Sequence, residues 1–431
     1  MKRERLPRGP DFEGPDYVLR DEALQLLGVK ASTLYTYVSR GLIKSVAIDG
    51  SKARMFSRQD LELLRGRSEA HAGVVARAQA SLRFGEPIIT SQITEITAKG
   101  PYYRGHSAVE LARTGRSFEA VSHLLWQGAL PEYDMRWEFQ APRVSPDVLI
   151  GALKIPLPPA DVFKLFASVV VGLGSPTAGL TEIDGGRTIS AAQQIIQTLA
   201  GCCGMLSQKG GFLSPRGKSI ACTIAEALGA KCDDITEDAI NAALVLCADL
   251  ELAPGTFAAR IAASAGADIY NCVIAGMASN AGTLTSRGCE MVEELFLHGD
   301  RSSLLRKVDL IKQRGRQLYG FNHAIFPAGD PRVFAMIAIA KDIKPRSDLV
   351  EDAFWLLEEA ASQCKAYPGV GIGLVVLALA LGLPRRSAAA IWQIARIAGQ
   401  VAHVLEQRIQ GFMIRPRARY LPNGGLMMRS A

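Results

Sequence analysis

Almost every segment past Gly85 carries its apolar residues at the three-to-four-residue period of a helix, in stretches rich in Ala, Leu and Gly. The clearest are Ala108 to Leu111, Phe118 to Leu125, Ile189 to Leu199, Ile235 to Leu252, Leu349 to Ala361 and Ala388 to Arg408, with short extended pieces only at Pro87 to Thr90 and Ile93 to Thr97. Such a succession predicts a fold of packed helices. No GxGxxG follows a strand and no GxxxxGKS occurs, which disfavours nucleotide folds built on parallel sheets, and no repeat of roughly 20 to 50 residues is present. At roughly 100 to 200 residues per domain, 431 residues predict two or three domains with ample core. Hydrophobic residues at 48% and charged residues at 21% lie far from the disordered range. The start MKRERLPRGP lacks a following apolar region, and no run reaches the ~18 apolar residues of a membrane helix, so a cytoplasmic protein with no membrane partner is expected.

Residues 1–16, with three prolines and no apolar period, are expected to form a flexible arm. In 17–67, Ala23, Leu24, Leu26 and Leu27 give one short helix face, Gly28 stops it, and Ser32 stands where it could cap a second helix bearing Leu34, Tyr35 and Val38. An alternating segment from Leu42 to Ile48 meets Asp49-Gly50 and returns through Ala53 to Phe56, the pattern of a hairpin. Ser57 and Asp60 then stand at capping-box spacing. The segment ALQLLGVKASTLYTYVSRGLI followed by ARMFSRQDLELL resembles the winged helix-turn-helix of the MerR and excisionase type. That resemblance implies a DNA partner, with Thr33, Tyr35, Thr36 and Arg40 near bases and Lys52 and Arg54 near phosphates. The alternative is a protein-interaction module with solvated surface charges. Residues 1–69 hold 13 Lys and Arg against 10 Asp and Glu, so non-specific attraction to DNA is expected to be modest. A helical linker is expected over 68–85.

The eight cysteines include no CxxC pair, and several stand in apolar helical stretches, so they read as buried free thiols with no metal site. The net charge of +7 suits polyanionic partners. His71, His106, His123, His298 and His403 fall at isolated positions and read as solvated or core-edge residues.

From residue 86 to about 422 the chain resembles the citrate synthase family. The resemblance is carried by SQITEITAKGPYYRGHSAVELARTGRSFEAVSHLLWQGALP (91–131), ADLELAPGTFAAR (248–260), AGTLTSRGCE (281–290), GFNHAIFPAGDPR (320–332), AYPGVGIGLVVLALALGLP (366–384), IWQIARIAGQVAHVLEQ (391–407) and IRPRARY (414–420). It implies a mainly α chain: a citrate synthase-like two-domain all-helical fold with the N-terminal winged helix-turn-helix in front. The large domain would span 86–284 and 377–431, the small domain 285–376, and the protein would be a homodimer. The resemblance further implies a carboxylate clamp for oxaloacetate or citrate made by His323, Arg332, Arg396 and Arg415, the last reaching across the dimer, with His323 also the one family catalytic-pocket residue retained. Lys365 matches a position near the coenzyme A site, and Arg287 stands where it could replace a phosphate contact, so an acyl-CoA thioester is a candidate substrate, with no permanently bound cofactor.

Three family positions depart. The D-H-E step reads Asp249-Leu250-Glu251, the G-P-L-H-G step reads Gly282-Thr283-Leu284-Thr285-Ser286, and the P-N-V-D step reads Pro368-Gly369-Val370-Gly371. A general base contributes ~10²- to 10⁴-fold, and glycine has no group to accept a proton. A missing preorganised donor costs ~10²-fold or more, and threonine offers only a weak one. The sequence therefore points to a polycarboxylate-responsive DNA-binding protein. Its rival is an active citrate synthase, methylcitrate synthase or citryl-thioester-cleaving enzyme using relocated groups such as Glu251 or Asp330. A third reading is a structural partner of an active paralogue.

Overall fold

The computed structural model describes residues 5–6, 17–39, 42–48, 54–58, 60–62, 64, 89–142, 144–152, 161–174, 179, 182–183, 185–208, 210–282, 285–297, 301–304, 306, 320–323, 325–343 and 348–416. Two compact units are formed, one from Met1–Gln92 with Gly288–Ala380, the other from Ile93–Arg287 with Leu381–Ala431. Among the described residues no helix is long and apolar enough to cross a membrane.

The second unit is built round the helix Ser387–Gln410, buried along nearly its whole length. A helix apolar on most sides must be covered on most sides. Here the cover is helices Phe118–Gln127, Thr188–Cys202, Asp234–Cys247, Pro254–Ser264 and Ile269–Asn280. Trp126 ties its helix to the centre through Nε1–H to the Ala398 carbonyl at 2.9 Å and stacks on Trp137. The unit opens with a three-stranded antiparallel sheet, Thr94–Thr97, Gly100–Tyr103 and His106–Ser107. Arg104 and Gly105 join the last two strands with positive φ of 49° and 87°, as a two-residue hairpin turn requires. The Arg104 guanidinium anchors that turn on the Leu125 carbonyl, Nη2 at 3.0 Å.

In the first unit the helix Val370–Ala380 is buried on most of its circumference against Pro331–Asp342 and Asp348–Cys364. Gly373 allows the close approach, because a Cβ there would meet Met336 Sδ at 3.0 Å. The N-terminal part has its own core of Val18, Ala23, Leu34, Ile43, Phe56 and Leu61. Helix Arg20–Leu27 ends at Gly28, whose left-handed φ of 63° turns its N–H back to Leu24. Helix Ala31–Ser39 starts before Ser32, with the Lys30 carbonyl receiving the Thr33 and Leu34 N–H groups, so Ser32 does not cap it. Ser45–Ile48 and Arg54–Ser57 pair antiparallel, and Tyr17–Leu19 pairs with the second. Arg5–Leu6, two residues of the segment read above as an arm, pair parallel with Ala47–Ile48 and cover that end of the edge. The Asp49-Gly50 turn, Arg40, Lys52 and the 68–85 linker lie outside the described residues.

Two further sequence expectations need correction. The helix expected to run to Leu252 stops at Cys247, because the chain turns to bury Asp249 and takes Glu251 through a positive φ of 53°. Cys222 and Cys232, expected as free thiols, are joined in a disulfide. Helix Ile220–Ala227 ends and the chain returns to the start of Asp234–Cys247, bringing the two Cα atoms to 5.4 Å, within disulfide reach. Cys202, Cys203 and Cys272 are buried free thiols, Cys247 and Cys289 are buried as well, and burial pushes the Cys272 thiol up to about 12.

Candidate functional site

Asp249 is the centre of a buried polar cluster in the second unit. Its Oδ2 accepts the Thr94 hydroxyl at 2.6 Å and the Glu251 N–H at 3.0 Å, and lies 3.3 Å from His403 Nε2. The other ring nitrogen, Nδ1, lies 3.1 Å from Arg260 Nη1. A guanidinium can only donate, so Nδ1 must accept, and His403 is the tautomer that donates its Nε2–H to Asp249. Burial opposes ionisation of Asp249, but His403, Arg396 and the Thr94 hydroxyl outweigh it and hold the carboxyl below its ordinary range. Gly399 lets the long helix approach this cluster: its N–H reaches the Ala248 carbonyl at 3.0 Å, and a Cβ there would stand 2.1 Å from Asp249 Oδ1.

Arg396 is buried on the same helix, its guanidinium carbon 5.7 Å from the Trp392 ring centroid. Glu251 is half-buried, and burial, then the charge of Asp249, raise its carboxyl above the usual range. Leu250 is buried in the core, as an apolar replacement allows. Thr285 Oγ1 lies 2.6 Å from the Asn280 carbonyl and 2.8 Å from that of Gly282. Its single hydroxyl proton is thus committed to the local turn and is not aimed at a substrate. Arg287 and Arg415 are exposed.

In the first unit, the GFNH segment and the segment 367–369 run side by side. The Gly369 N–H meets the Gly320 carbonyl at 2.5 Å, the Asn322 N–H meets Tyr367 O at 2.8 Å, and the Tyr367 N–H meets Asn322 Oδ1 at 2.9 Å. Gly320 takes φ of +86° there, with Ile372 and Val292 at 2.9 Å from a Cβ it does not have. His323 follows this paired stretch, half-buried, its Nδ1 3.3 Å from the Ile325 N–H and its ring tilted on Phe326. Gly371 opens helix Val370–Ala380 with Cys289 Sγ 3.3 Å from where a Cβ would stand. His323 and the position where the family base would stand are therefore carried on two backbone segments hydrogen-bonded to each other.

Arg332 is buried and engaged by Asp330 through Nε at 3.0 and 3.2 Å and Nη2 at 2.6 Å, with Phe326 beneath its guanidinium at 5.7 Å. One edge of this guanidinium is committed to a carboxylate of its own chain. Asp330 also caps the helix Pro331–Asp342, accepting the Arg332 N–H, so its carboxylate serves the backbone and the guanidinium of its own helix. Lys365 is exposed at a positive φ of 51°.

The residues expected to meet DNA are placed as follows. Helix Ala31–Ser39 carries Thr33, Tyr35 and Thr36. The Tyr35 ring is exposed along one edge and meets Phe56 at 6.1 Å edge-on, and the Thr36 hydroxyl donates back to Ser32 O at 2.9 Å. Arg54 Nε and Nη2 bond the Ser45 hydroxyl and carbonyl at 3.1 and 3.3 Å, pinning the two hairpin strands. Of the expected capping box, Ser57 Oγ accepts the Asp60 N–H at 3.2 Å. The reciprocal bond is replaced, because the Ser57 N–H pairs with Lys44 O and Asp60 Oδ2 takes the Lys44 N–H at 2.8 Å.

His403 corrects the expectation of an isolated histidine. It is fully buried, on the same helix face as Arg396, Gln400 and Gln407. That face is legible as polar residues at i, i+4, i+7 and i+11 within an otherwise apolar helix, which is the signal that would have found it.

Comparison with known proteins places this geometry. The family model described as "Citrate synthase, C-terminal domain" matches residues 84–417. The citrate synthase of Thermoplasma acidophilum is 25% identical over 341 residues, 74% of this chain and 88% of the relative. Citrate synthase 2 of Bacillus subtilis is 28% identical over 190 residues, so the match spans 43% of this chain and about half, 51%, of that protein. Among solved structures, the ternary complex of Thermoplasma acidophilum citrate synthase with carboxymethyl coenzyme A and oxaloacetate has a TM-score of 0.65 at 22% identity, covering 80% of this chain and 96% of the other. That of Thermotoga maritima citrate synthase has 0.64 at 22% identity, with the same coverage. These likenesses are likenesses of fold.

Proposed function

The chain belongs to the citrate synthase family, and we propose that it binds an oxaloacetate- or citrate-like polycarboxylate and no longer condenses it efficiently with an acyl thioester. The observation that carries this reading is Thr285: the residue in place of the family's enol-stabilising histidine has its one proton on the backbone turn 280–282, while Gly371 has no side chain to take a proton from an acyl methyl group. His323, Arg332 and Arg396 keep the residue types of the clamp, with Arg415 contributed across a homodimer. Lys365 and Arg287 are exposed, as contacts to an acyl-CoA phosphate require.

The N-terminal segment is the output in this reading. Helices Arg20–Leu27 and Ala31–Ser39, followed by the strands Ser45–Ile48 and Arg54–Ser57, support a winged helix-turn-helix, and DNA is the proposed partner. Ligand-dependent DNA binding then requires that the polycarboxylate prefer one arrangement of the chain over another.

Calorimetry with oxaloacetate and citrate tests the clamp. Arg396→Gln is expected to weaken binding by about 10- to 100-fold, the loss of a charge-assisted contact worth about 1.5–3 kcal/mol. Unchanged binding in this variant rejects the clamp. Retardation of DNA from the protein's own upstream region, shifted by added citrate, tests the output; equal retention of all DNA only at low salt leaves simple charge attraction.

One observation favours a second reading, that of an enzyme with a relocated base. Glu251 is half-buried, raised in pKa and held at a positive φ, all features that collect at reactive sites. In that case acetyl-CoA and oxaloacetate turn over at rates ordinary for synthases, and Glu251→Gln lowers the rate by ~10²-fold or more. The sensor reading expects negligible turnover in both proteins.

A further inference from the structure

The Cys222–Cys232 pair has a third polar neighbour that a disulfide does not use. Cys222 stands in the first turn of helix Ile220–Ala227, and Cys232 precedes helix Asp234–Cys247, whose first turn bears Glu237. The two sulfurs and a Glu237 oxygen all lie within 4.8 Å of one another. Glu237 Oε2 is 3.5 Å from Cys232 Sγ. A disulfide sulfur carries no proton, so in the oxidised pair this carboxylate oxygen faces an atom with nothing to donate. The orientation is nonetheless fixed: the Ser219 hydroxyl donates to Glu237 Oε1 at 2.5 Å and accepts the Cys222 N–H at 3.0 Å. A single serine thus holds the carriers of two of the three groups, the arrangement of an outer-shell partner in a metal site.

We propose that, once the disulfide is reduced, Cys222 Sγ, Cys232 Sγ and Glu237 Oε2 bind one thiophilic divalent cation, zinc in chemical class, with water in the fourth position. With Zn–S of ~2.3 Å and Zn–O of ~2.0–2.2 Å, a tetrahedral centre sets its S···O edges at about 3.5–3.7 Å, the separation already held between Cys232 and Glu237. Reduction by a low-molecular-weight thiol breaks the S–S bond and forms two thiols, while two molecules of that thiol become its disulfide. Binding then releases the two thiol protons and forms two metal–sulfur bonds. Arg136 Nη2, 3.9 Å from Glu237 Oε1, offsets one of the three ligand charges and favours the thiolates. Cys232 and Glu237 are half-buried, giving the cation a route from solvent, and Cys222 closes the inner side.

The test uses the full chain, freed of metal by chelation and reduced with a phosphine, titrated with cobalt(II) as a spectroscopic probe. Expected are a thiolate-to-cobalt charge-transfer band and the strong visible absorption of a tetrahedral site, saturating at one cobalt per chain and abolished by zinc. Oxidised protein is expected to show neither, a comparison that needs no variant. Cys222→Ser with Cys232→Ser is expected to remove the bands, and Ser219→Ala and Glu237→Gln to weaken cobalt binding by about 10- to 100-fold. Absence of the charge-transfer band from the reduced chain overturns the proposal. So does its persistence in the double serine variant, which would assign it to other cysteines.

Discussion

Replacing Arg260 by Met is expected to remove about 3–5 kcal/mol from the stability of the fold, the cost of breaking a buried ion pair from one side. Arg260 is fully buried and donates to four acceptors: Gln407 Oε1 at 2.7 Å, His403 Nδ1 at 3.1 Å, Glu406 Oε2 at 2.6 Å and Gln410 Oε1 at 2.6 Å. Met fills much of the volume, so the loss reports on the hydrogen bonds that the four acceptors make to Arg260 rather than on a cavity. Glu406, only slightly exposed, is the costliest of them because its charge loses the Arg260 cation. A urea titration of the parent and the variant measures the effect as a lower midpoint at unchanged slope. Arg260→Met with Glu406→Gln is expected to recover part of the loss, since the double change removes the Glu406 charge along with the cation. A single-variant loss below about 1 kcal/mol would mean that water reaches these groups and that the network is not a buried one.

The same network separates what the sequence discloses from what it does not. Helix periods are local, and the helices Phe118–Gln127, Thr188–Cys202 and Ser387–Gln410 fall where the apolar spacing puts them. Gly28 ends its helix for the reason it is there to be read: a left-handed residue is cheap only as glycine. Pairings between distant positions leave no such trace. Asp249 and His403 are 154 residues apart, and neither the end of the helix at Cys247 nor the burial of His403 follows from its neighbours in the chain. Cys222 and Cys232 escape for the same reason, since their spacing matches no compact motif and only the return of the chain joins them.

At the candidate site the residue types were legible and their commitments were not. The D-P-R step displays a cation, but only the fold reveals that Asp330 grips one edge of Arg332 while capping the same helix. Under the proposed polycarboxylate reading, a carboxylate at Arg332 meets a guanidinium already partly neutralised by Asp330. Thr285 is the converse case: a hydroxyl that sequence permits as a weak donor is bound to the backbone carbonyls of Asn280 and Gly282. Under the proposed reading, the loss of proton handling is thus a matter of where hydrogens point as well as of which side chains are missing.

The stability of the second unit is expected to fall as pH rises from about 4.5 to about 7, and Glu119→Gln is expected to abolish that fall. Glu119 is buried in helix Phe118–Gln127 and burial pushes its carboxyl from the ordinary 4.5 up to about 7, against the opposing hydrogen bond from the Ile220 N–H at 2.8 Å. Asp134 adds to the rise and Arg136 reduces it. Its second oxygen, Oε2, is buried with no hydrogen-bond partner among the described residues, so an ionised carboxylate has one side unsolvated. A group whose pKa is higher in the fold than in the unfolded chain favours folding while protonated. Its contribution is complete below the unfolded value and is lost as pH climbs through the folded one. The difference between 4.5 and about 7 corresponds to about 3 kcal/mol between the two plateaus. Glutamine keeps an oxygen for the Ile220 N–H and carries no charge at any pH, so the variant is expected to unfold at a higher denaturant concentration than the parent at about pH 8 and to lose that advantage near pH 5. Parallel pH dependences in the two proteins would show that Glu119 is hydrated in the fold and that its burial does not control the titration.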